Sequence, residues 1–270
     1  MPQAPAPYAN CSRPRGFLDS VLDCCLGVNL QGQVALVTGA GRRIGRTIAL
    51  RLAAEGARMV VHYRNSPSEA EAVAAEIVRA GGEALCMRAE LTRVAEIDRL
   101  FEQIEQRFGR LDILVNNAAI FSPTPVGRTQ EAQWDAILDT NLKAQFFAAQ
   151  RAAPLLVQTG RGRIINFASL GGLQAWPKYT AYSVSKAGVI MLTRCLARAL
   201  APAVTVNAIA PGTISFPEDA PEIAERAIRG APLRRTGSAE DIASAVVYLI
   251  GAGFVTGQVL VVDGGSSIPS

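Results

Sequence analysis

From Gln33 onward the chain alternates short, unbroken apolar runs with longer stretches in which apolar residues recur every three or four positions. Runs such as Val34-Ala35-Leu36-Val37 and Ile113-Leu114-Val115 carry no polar alternation. Parallel strands covered by helices on both faces have this signature. The pattern predicts strands near 33–38, 58–63, 84–88, 111–115, 162–167, 203–208 and 258–262, with amphipathic helices between them. That succession makes an α/β fold, a doubly wound parallel sheet of the Rossmann type, with strand order 3-2-1-4-5-6-7 if the crossovers are right-handed. Residues 31–270 are expected to form this single domain.

Residues 1–30 break the pattern. A Pro/Ala-rich start is followed by Phe17, Leu18, Val21, Leu22 and Leu26 at roughly helical spacing, interrupted by Asp19 and Asp23. The two acids and the short apolar run argue against a secretory signal. This extension is expected to be a flexible arm with a short docking helix, or the product of a start codon placed too early.

Composition narrows the function. The net charge of +4 comes from scattered arginines, since Lys143, Lys178 and Lys186 are the only lysines. No basic stripe interleaved with aromatics points to nucleic acid. His62 is the single histidine, which disfavours Ser-His-Asp hydrolysis and leaves no multi-histidine metal site. The cysteines at 11, 24, 25, 86 and 195 show no CxxC spacing, so no metal is expected. No run approaches the roughly 20 apolar residues of a membrane span. The expectation is a cytoplasmic enzyme acting on a small-molecule substrate.

Two stretches carry the chemistry. After the first strand, Thr38-Gly39-Ala40-Gly41-Arg42-Arg43-Ile44-Gly45 reads as a Gly-rich turn opening a helix near Arg43. Helix N-terminal amides and the helix dipole suit a pyrophosphate there, and glycine lets the backbone approach it. The second strand ends His62-Tyr63-Arg64-Asn65-Ser66 without the acid that would hold a ribose 2′-hydroxyl. Arg42, Arg43 and Arg64 supply guanidinium forks suited to a phosphate monoester instead, so the expected cofactor is NADP(H). Downstream, Tyr182 and Lys186 stand four residues apart on a predicted helix, with Ser169 preceding them. Such spacing puts a phenol and an ammonium on one face. A nearby cation lowers a phenol's pKa from ~10 and prepares it for general acid catalysis, while Ser169 holds a carbonyl oxygen.

With these residues in view, the chain resembles the short-chain dehydrogenase/reductase family from about Gln33 to Gly265. The likeness rests on the TGxxxxxG turn, Asn116-Asn117-Ala118-Ala119, Asn141, Ser169, Tyr182-x-x-x-Lys186, Pro211-Gly212 and Asp263-Gly264-Gly265. The resemblance implies a catalytic tetrad. Asn141 would hold a water in a proton relay, Ser169 orient the substrate, Tyr182 act as acid, and Lys186 tune it and bind the nicotinamide ribose. It also implies cofactor contacts from Gly39, Arg42, Arg43, Ile44, Gly45, His62, Tyr63, Arg64, Asn65, Ser66, Glu90, Leu91, Asn117, Ala118, Ala119, Tyr182, Lys186, Pro211, Gly212, Thr213 and Ile214. Glu90 stands where the family usually has an aspartate near the adenine, and Asn116 would meet the adenosine ribose. Family members are usually dimers or tetramers, so a homotetramer is expected.

Within the family the chain is similar to pteridine reductases. Arg43 replaces the middle glycine of the turn, His62-Tyr63 precedes Arg64-Asn65-Ser66, and Phe121 in the stretch Asn117–Pro125 stands where those enzymes stack a pterin on the nicotinamide. Phe121 read from the residues alone is equally an apolar pocket wall. One departure is Ser169, where the pteridine reductases of trypanosomatid parasites carry an aspartate. The resulting expectation is an NADPH-dependent reductase of a C=N or C=O group, of dihydropteridine type. The alternatives are a ketone, sugar or 3-oxoacyl reductase and a non-catalytic NADPH sensor. The segment from Ile214 to Gly230, with Glu218, Asp219 and Glu222, is expected to form a lid over the substrate.

Overall fold

A computed structural model describes residues 28–269 of the chain. The expectations for the arm concern residues 1–27 above all, which lie outside the described residues. The domain starts slightly earlier than the sequence suggests: Leu30 is buried and its amide donates to the Glu55 carbonyl at 2.8 Å.

Seven strands form one parallel sheet in the order 3-2-1-4-5-6-7: β1 (Val34–Val37), β2 (Arg58–Tyr63), β3 (Ala84–Arg88), β4 (Ile113–Asn116), β5 (Gly162–Phe167), β6 (Val204–Pro211) and β7 (Val259–Val262). The helices are α1 (Arg43–Ala54), α2 (Pro67–Arg79), α3 (Val94–Phe108), α4 (Glu131–Leu138), α5 (Ala144–Gln158), α6 (Thr180–Leu200), α7 (Pro221–Gly230) and α8 (Ala239–Gly251). A π-helical turn, Asp139–Lys143, joins α4 to α5. A single 3-10 turn, Leu170–Gly172, follows β5.

Each strand sends alternate residues to opposite faces, and this splits the core in two. Ala35, Val37, Met59 and Val61 pack with Ile48 and Leu52 of α1, Val73 and Ile77 of α2, and Ile242 and Val246 of α8. Val34, Leu36 and Val60 pack with Ile97, Leu100 and Ile104 of α3, Ala148 and Ala152 of α5, and Ala197 of α6. Because both faces are covered, the strands need no polar alternation. Connections leave β1 and β4 in opposite directions, so a crevice opens at the carboxyl ends of these neighbouring strands. Ligands bind at such a switch point in open α/β sheets.

Candidate active site

Glycine and asparagine chemistry shapes the turn after β1. Gly39 has φ +65°, and a Cβ there would sit 3.2 Å from Ala118 Cα. A Cβ on Gly45 would meet the Asn117 side-chain nitrogen at 2.6 Å. That nitrogen is committed, because Asn117 Nδ2 donates to the carbonyls of Thr38 (2.9 Å) and Gly39 (3.1 Å). In return, the amides of Asn117 and Ala118 donate to Thr38 Oγ1 at 2.9 and 3.0 Å. The turn and the β4 loop are thus locked together, with the amino end of α1 facing the crevice.

His62 braces the turn from the other side. Its Nδ1 accepts the Gly39 N–H at 3.1 Å, which places the proton on Nε2, 3.1 Å from the Ala89 carbonyl. Burial holds its pKa down at about 4, so the ring stays neutral. The ring therefore serves as a strut between the glycine turn and the segment after β3, besides lining the cavity.

That cavity has a volume of about 360 Å³. Gly39, Arg42, Arg43, Ile44, Gly45, His62, Tyr63, Arg64, Asn65, Ser66, Glu90, Leu91, Asn117, Ala118 and Ala119 all line it. Four further lining residues were not expected: Gly41, Ala89, Ile120 and Thr140. Gly41 and Ala89 adjoin expected positions, whereas Thr140 reaches the wall only through the π turn and has no motif to signal it. Pro211, Gly212, Thr213, Ile214, Tyr182 and Lys186 lie outside this lining: Pro211 ends β6 and the next three residues follow it, while Tyr182 and Lys186 are on α6. Asn116 departs from its expected ribose contact. Its side chain is buried and donates to Asn166 Oδ1 at 2.9 Å, and Asn166 donates in turn to Thr193 Oγ1 at 3.0 Å, a polar chain tying β4 and β5 to α6. An amide at the centre of a covered sheet must find partners there.

Asn141 sits on the π turn, where the widened helix turns its side chain inward. Its Oδ1 accepts the Ile120 N–H at 2.8 Å, and its Nδ2 donates to the Ile120 carbonyl (3.0 Å) and Ser185 Oγ (3.2 Å). Ser185 Oγ donates to the Tyr182 carbonyl at 2.7 Å. The Asn141 side chain thus joins the cavity wall to the helix that carries Tyr182. The start of α6 is fixed by a further residue of the β4 loop: buried Thr124 accepts the Ala181 N–H on Oγ1 at 3.0 Å, and its own amide donates to the Lys178 carbonyl at 2.8 Å.

Ser169, Tyr182 and Lys186 converge beyond Ile120. Lys186 is entirely buried; its Nζ donates to the Phe167 carbonyl at 2.6 Å and lies 5.8 Å from the centre of the Tyr182 ring. Burial pulls its pKa down to about 7. The phenol corrects the sequence-based expectation. Burial raises the Tyr182 pKa, and the Ser169 hydroxyl alone pulls the other way. At its present separation Lys186 does not offset the desolvation of the phenol, so burial outweighs charge pairing here.

Aromatic rings surround the phenol. Phe121, more than half exposed, stacks on Tyr179 (4.3 Å between centroids, 19° between planes) and meets Tyr182 edge-on at 4.7 Å. Trp176 lies near-parallel to Tyr182 at 6.3 Å. Trp176 and Tyr179 were not singled out by the sequence reading. The signal was the aromatic density of Trp176-Pro177-Lys178-Tyr179-Thr180-Ala181-Tyr182.

A sheet with this strand order, a glycine turn at its switch point and a Ser-Tyr-Lys group beside it together define one class of enzyme. A family profile described as "Enoyl-(Acyl carrier protein) reductase" matches residues 39–267. The chain belongs to the short-chain dehydrogenase/reductase family. It is 41% identical over 240 residues to a 3-oxoacyl-[acyl-carrier-protein] reductase of Synechocystis sp., covering 87% of this chain and 97% of that protein. It is 42% identical over 237 residues to a 3-oxoacyl-[acyl-carrier-protein] reductase of Staphylococcus aureus, covering 86% and 96%. Among solved structures, a 7α-hydroxysteroid dehydrogenase complexed with NADH and 7-oxo glycochenodeoxycholic acid superposes with a TM-score of 0.83 at 34% identity, covering 88% of this chain and 95% of that one. This chain is therefore an oxidoreductase that uses a nicotinamide cofactor. The reductases named among its relatives match the 3-oxoacyl alternative better than the pteridine-type expectation.

The cavity fits such a dinucleotide. Its glycine turn leaves the backbone bare at a helix amino end, and Arg42, Arg64 and Ser66 gather where β2 ends. The Glu90 carboxylate, which also lines the cavity, lies 3.7 Å from the Arg64 guanidinium. Among the described residues no group of three His, Cys, Asp or Glu side chains could hold a metal ion, and no helix is long and apolar enough to cross a membrane.

Proposed function

We propose that the protein is an NADPH-dependent reductase that converts the keto group of a 3-oxoacyl thioester, or a ketone of that class, to an alcohol. The observation that carries this reading is the Ser169 hydroxyl hydrogen-bonded to the Tyr182 phenol. Two neutral hydroxyl donors polarise a carbonyl oxygen without placing a negative charge near it, as an aspartate at position 169 would. A bound reduced nicotinamide supplies the hydride. Ser169 would hold the carbonyl oxygen by hydrogen bonding, and Tyr182 would donate its phenolic proton to that oxygen, leaving a phenolate to be reprotonated. Lys186 then returns a proton toward the phenol, for which a pKa near neutrality suits it. Asn141 holds Ile120 and the Tyr182 helix turn in fixed relation during the transfer.

Preference for NADPH over NADH is supported by the guanidinium forks of Arg42 and Arg64 at the β2 end. Neutral replacements of both should lower the NADPH/NADH ratio of kcat/KM by at least tenfold, and an unchanged ratio would remove the assignment. A homotetramer is supported by the exposed apolar side chains Val184 and Met191 on α6 and Phe146 on α5, and light scattering would measure it.

A second reading, reduction of a dihydropteridine, draws on Phe121 and its aromatic neighbours, which offer a stacking platform for a flat heterocycle. Consumption of NADPH with acetoacetyl-coenzyme A and with dihydrobiopterin decides between the two. Turnover of the thioester alone supports the first, and turnover of the pterin alone refutes it.

A further inference from the structure

The side chain of Arg43 does something its place in the glycine turn does not suggest. A non-glycine residue with φ +51° replaces the middle glycine of the turn, a backbone geometry that disfavours side chains. Its guanidinium reaches across the crevice to the segment expected to form the lid. Nη1 donates to Glu218 Oε1 and Asp219 Oδ1, both at 2.9 Å, and Nη2 donates to Asp219 Oδ2 at 3.1 Å. The same group lies 4.0 Å over the Phe216 ring, and Asp219 also caps its own loop by accepting the Phe216 amide at 3.0 Å. These contacts hold the Asp219 carboxyl below its ordinary range.

We propose that Arg43 is a positioning residue, a latch that fastens the substrate lid to the cofactor turn and couples the two. The fork uses both Nη1 hydrogens and one Nη2 hydrogen on the lid. The edge bearing Nε has no partner among the described residues. Arg43 also lines the cavity, so this edge is placed to take an oxygen of a dinucleotide phosphate while the other keeps the lid. A cofactor that immobilises this side chain then stabilises the closed lid. A strained arginine in place of glycine accordingly gains a contact that glycine cannot make. The bridging half of the proposal rests on the nicotinamide-cofactor reading of the cavity; the latch itself does not.

Hydrogen exchange of residues 214–220 in the full-length protein tests both halves. A partly exposed fork with a cation-π contact corresponds to about a three- to tenfold change in lid opening. Without cofactor, Arg43→Gly, which suits the backbone, should speed exchange of this segment by about that factor, Asp219→Asn should speed it by less because the Glu218 and Phe216 contacts remain, and the double variant should be no faster than Arg43→Gly alone. Additive effects, or no effect, would overturn the latch. NADPH should then slow lid exchange in the wild type and lose most of that effect in Arg43→Gly, with binding followed separately by nicotinamide fluorescence. Equal slowing in both proteins, or faster exchange on binding, would overturn the bridge. Failure of the wild type to bind any nicotinamide dinucleotide would overturn the bridge together with the cofactor reading, and the cofactor-free comparison would still decide the latch.

Discussion

His62 makes stability depend on pH in a way that can be worked out from its surroundings. The ring is buried, its Nδ1 accepts from Gly39 and its Nε2–H faces the Ala89 carbonyl, so the site accommodates only the neutral form. Its pKa falls from the ordinary 6.5 to about 4 on folding. The unfolded chain therefore binds a proton on this residue at a pH where the native protein does not. Stability from His62 is fully present above pH ~6.5 and is lost as pH falls toward ~4. At pH 5 this linkage amounts to about 2 kcal/mol, and at pH 7.5 to almost nothing. The perturbation is His62→Asn, which keeps an acceptor for the Gly39 amide and removes the titration. Urea unfolding at the two pH values gives four free energies. The wild type should lose about 2 kcal/mol more than the variant between pH 7.5 and pH 5, although the variant starts from a lower value because the Ala89 contact is gone. If both proteins lose stability in parallel, His62 does not titrate as its burial requires and the strut argument fails.

Tyr182→Phe should reduce kcat by about 10²- to 10⁴-fold with little change in cofactor affinity, since it removes only the proton donor; a loss under tenfold in steady-state assays would displace Tyr182 from the acid role. Lys186→Met should abolish turnover without lowering the urea midpoint at pH 7, because burial already opposes the ammonium there; destabilisation beyond about 1 kcal/mol would show that the Phe167 contact matters more than desolvation. Gly45→Ala should cost about 1–3 kcal/mol and weaken dinucleotide binding, since the new methyl runs into the backbone carbonyl of Gly39 as well as the Asn117 amide and must shift the turn; calorimetric unfolding and a fluorescence titration would detect both. Thr124→Val should destabilise the start of α6 by about 1 kcal/mol and raise exchange at the Ala181 amide, which loses its acceptor.

Periodicity along the chain determined the architecture. Unbroken apolar runs separated by amphipathic helices mark strands buried on both faces, and right-handed crossovers narrow the possible strand orders; the sheet itself shows which of them the chain adopts. The glycine turn and the Tyr182–Lys186 spacing were equally legible, because backbone clearance and helix geometry are local properties. Tertiary structure alone decided the rest, for reasons of distance and burial. Asn116 went to a buried amide chain through β5 and α6, partners 50 and more residues away. The Tyr182 pKa rose because desolvation depends on everything packed around the ring, which no spacing reveals. Arg43, read beside Arg42 as a phosphate ligand, fastened on carboxylates 175 and 176 residues further along. A local motif states which group is available, and only the folded chain brings its partner within reach.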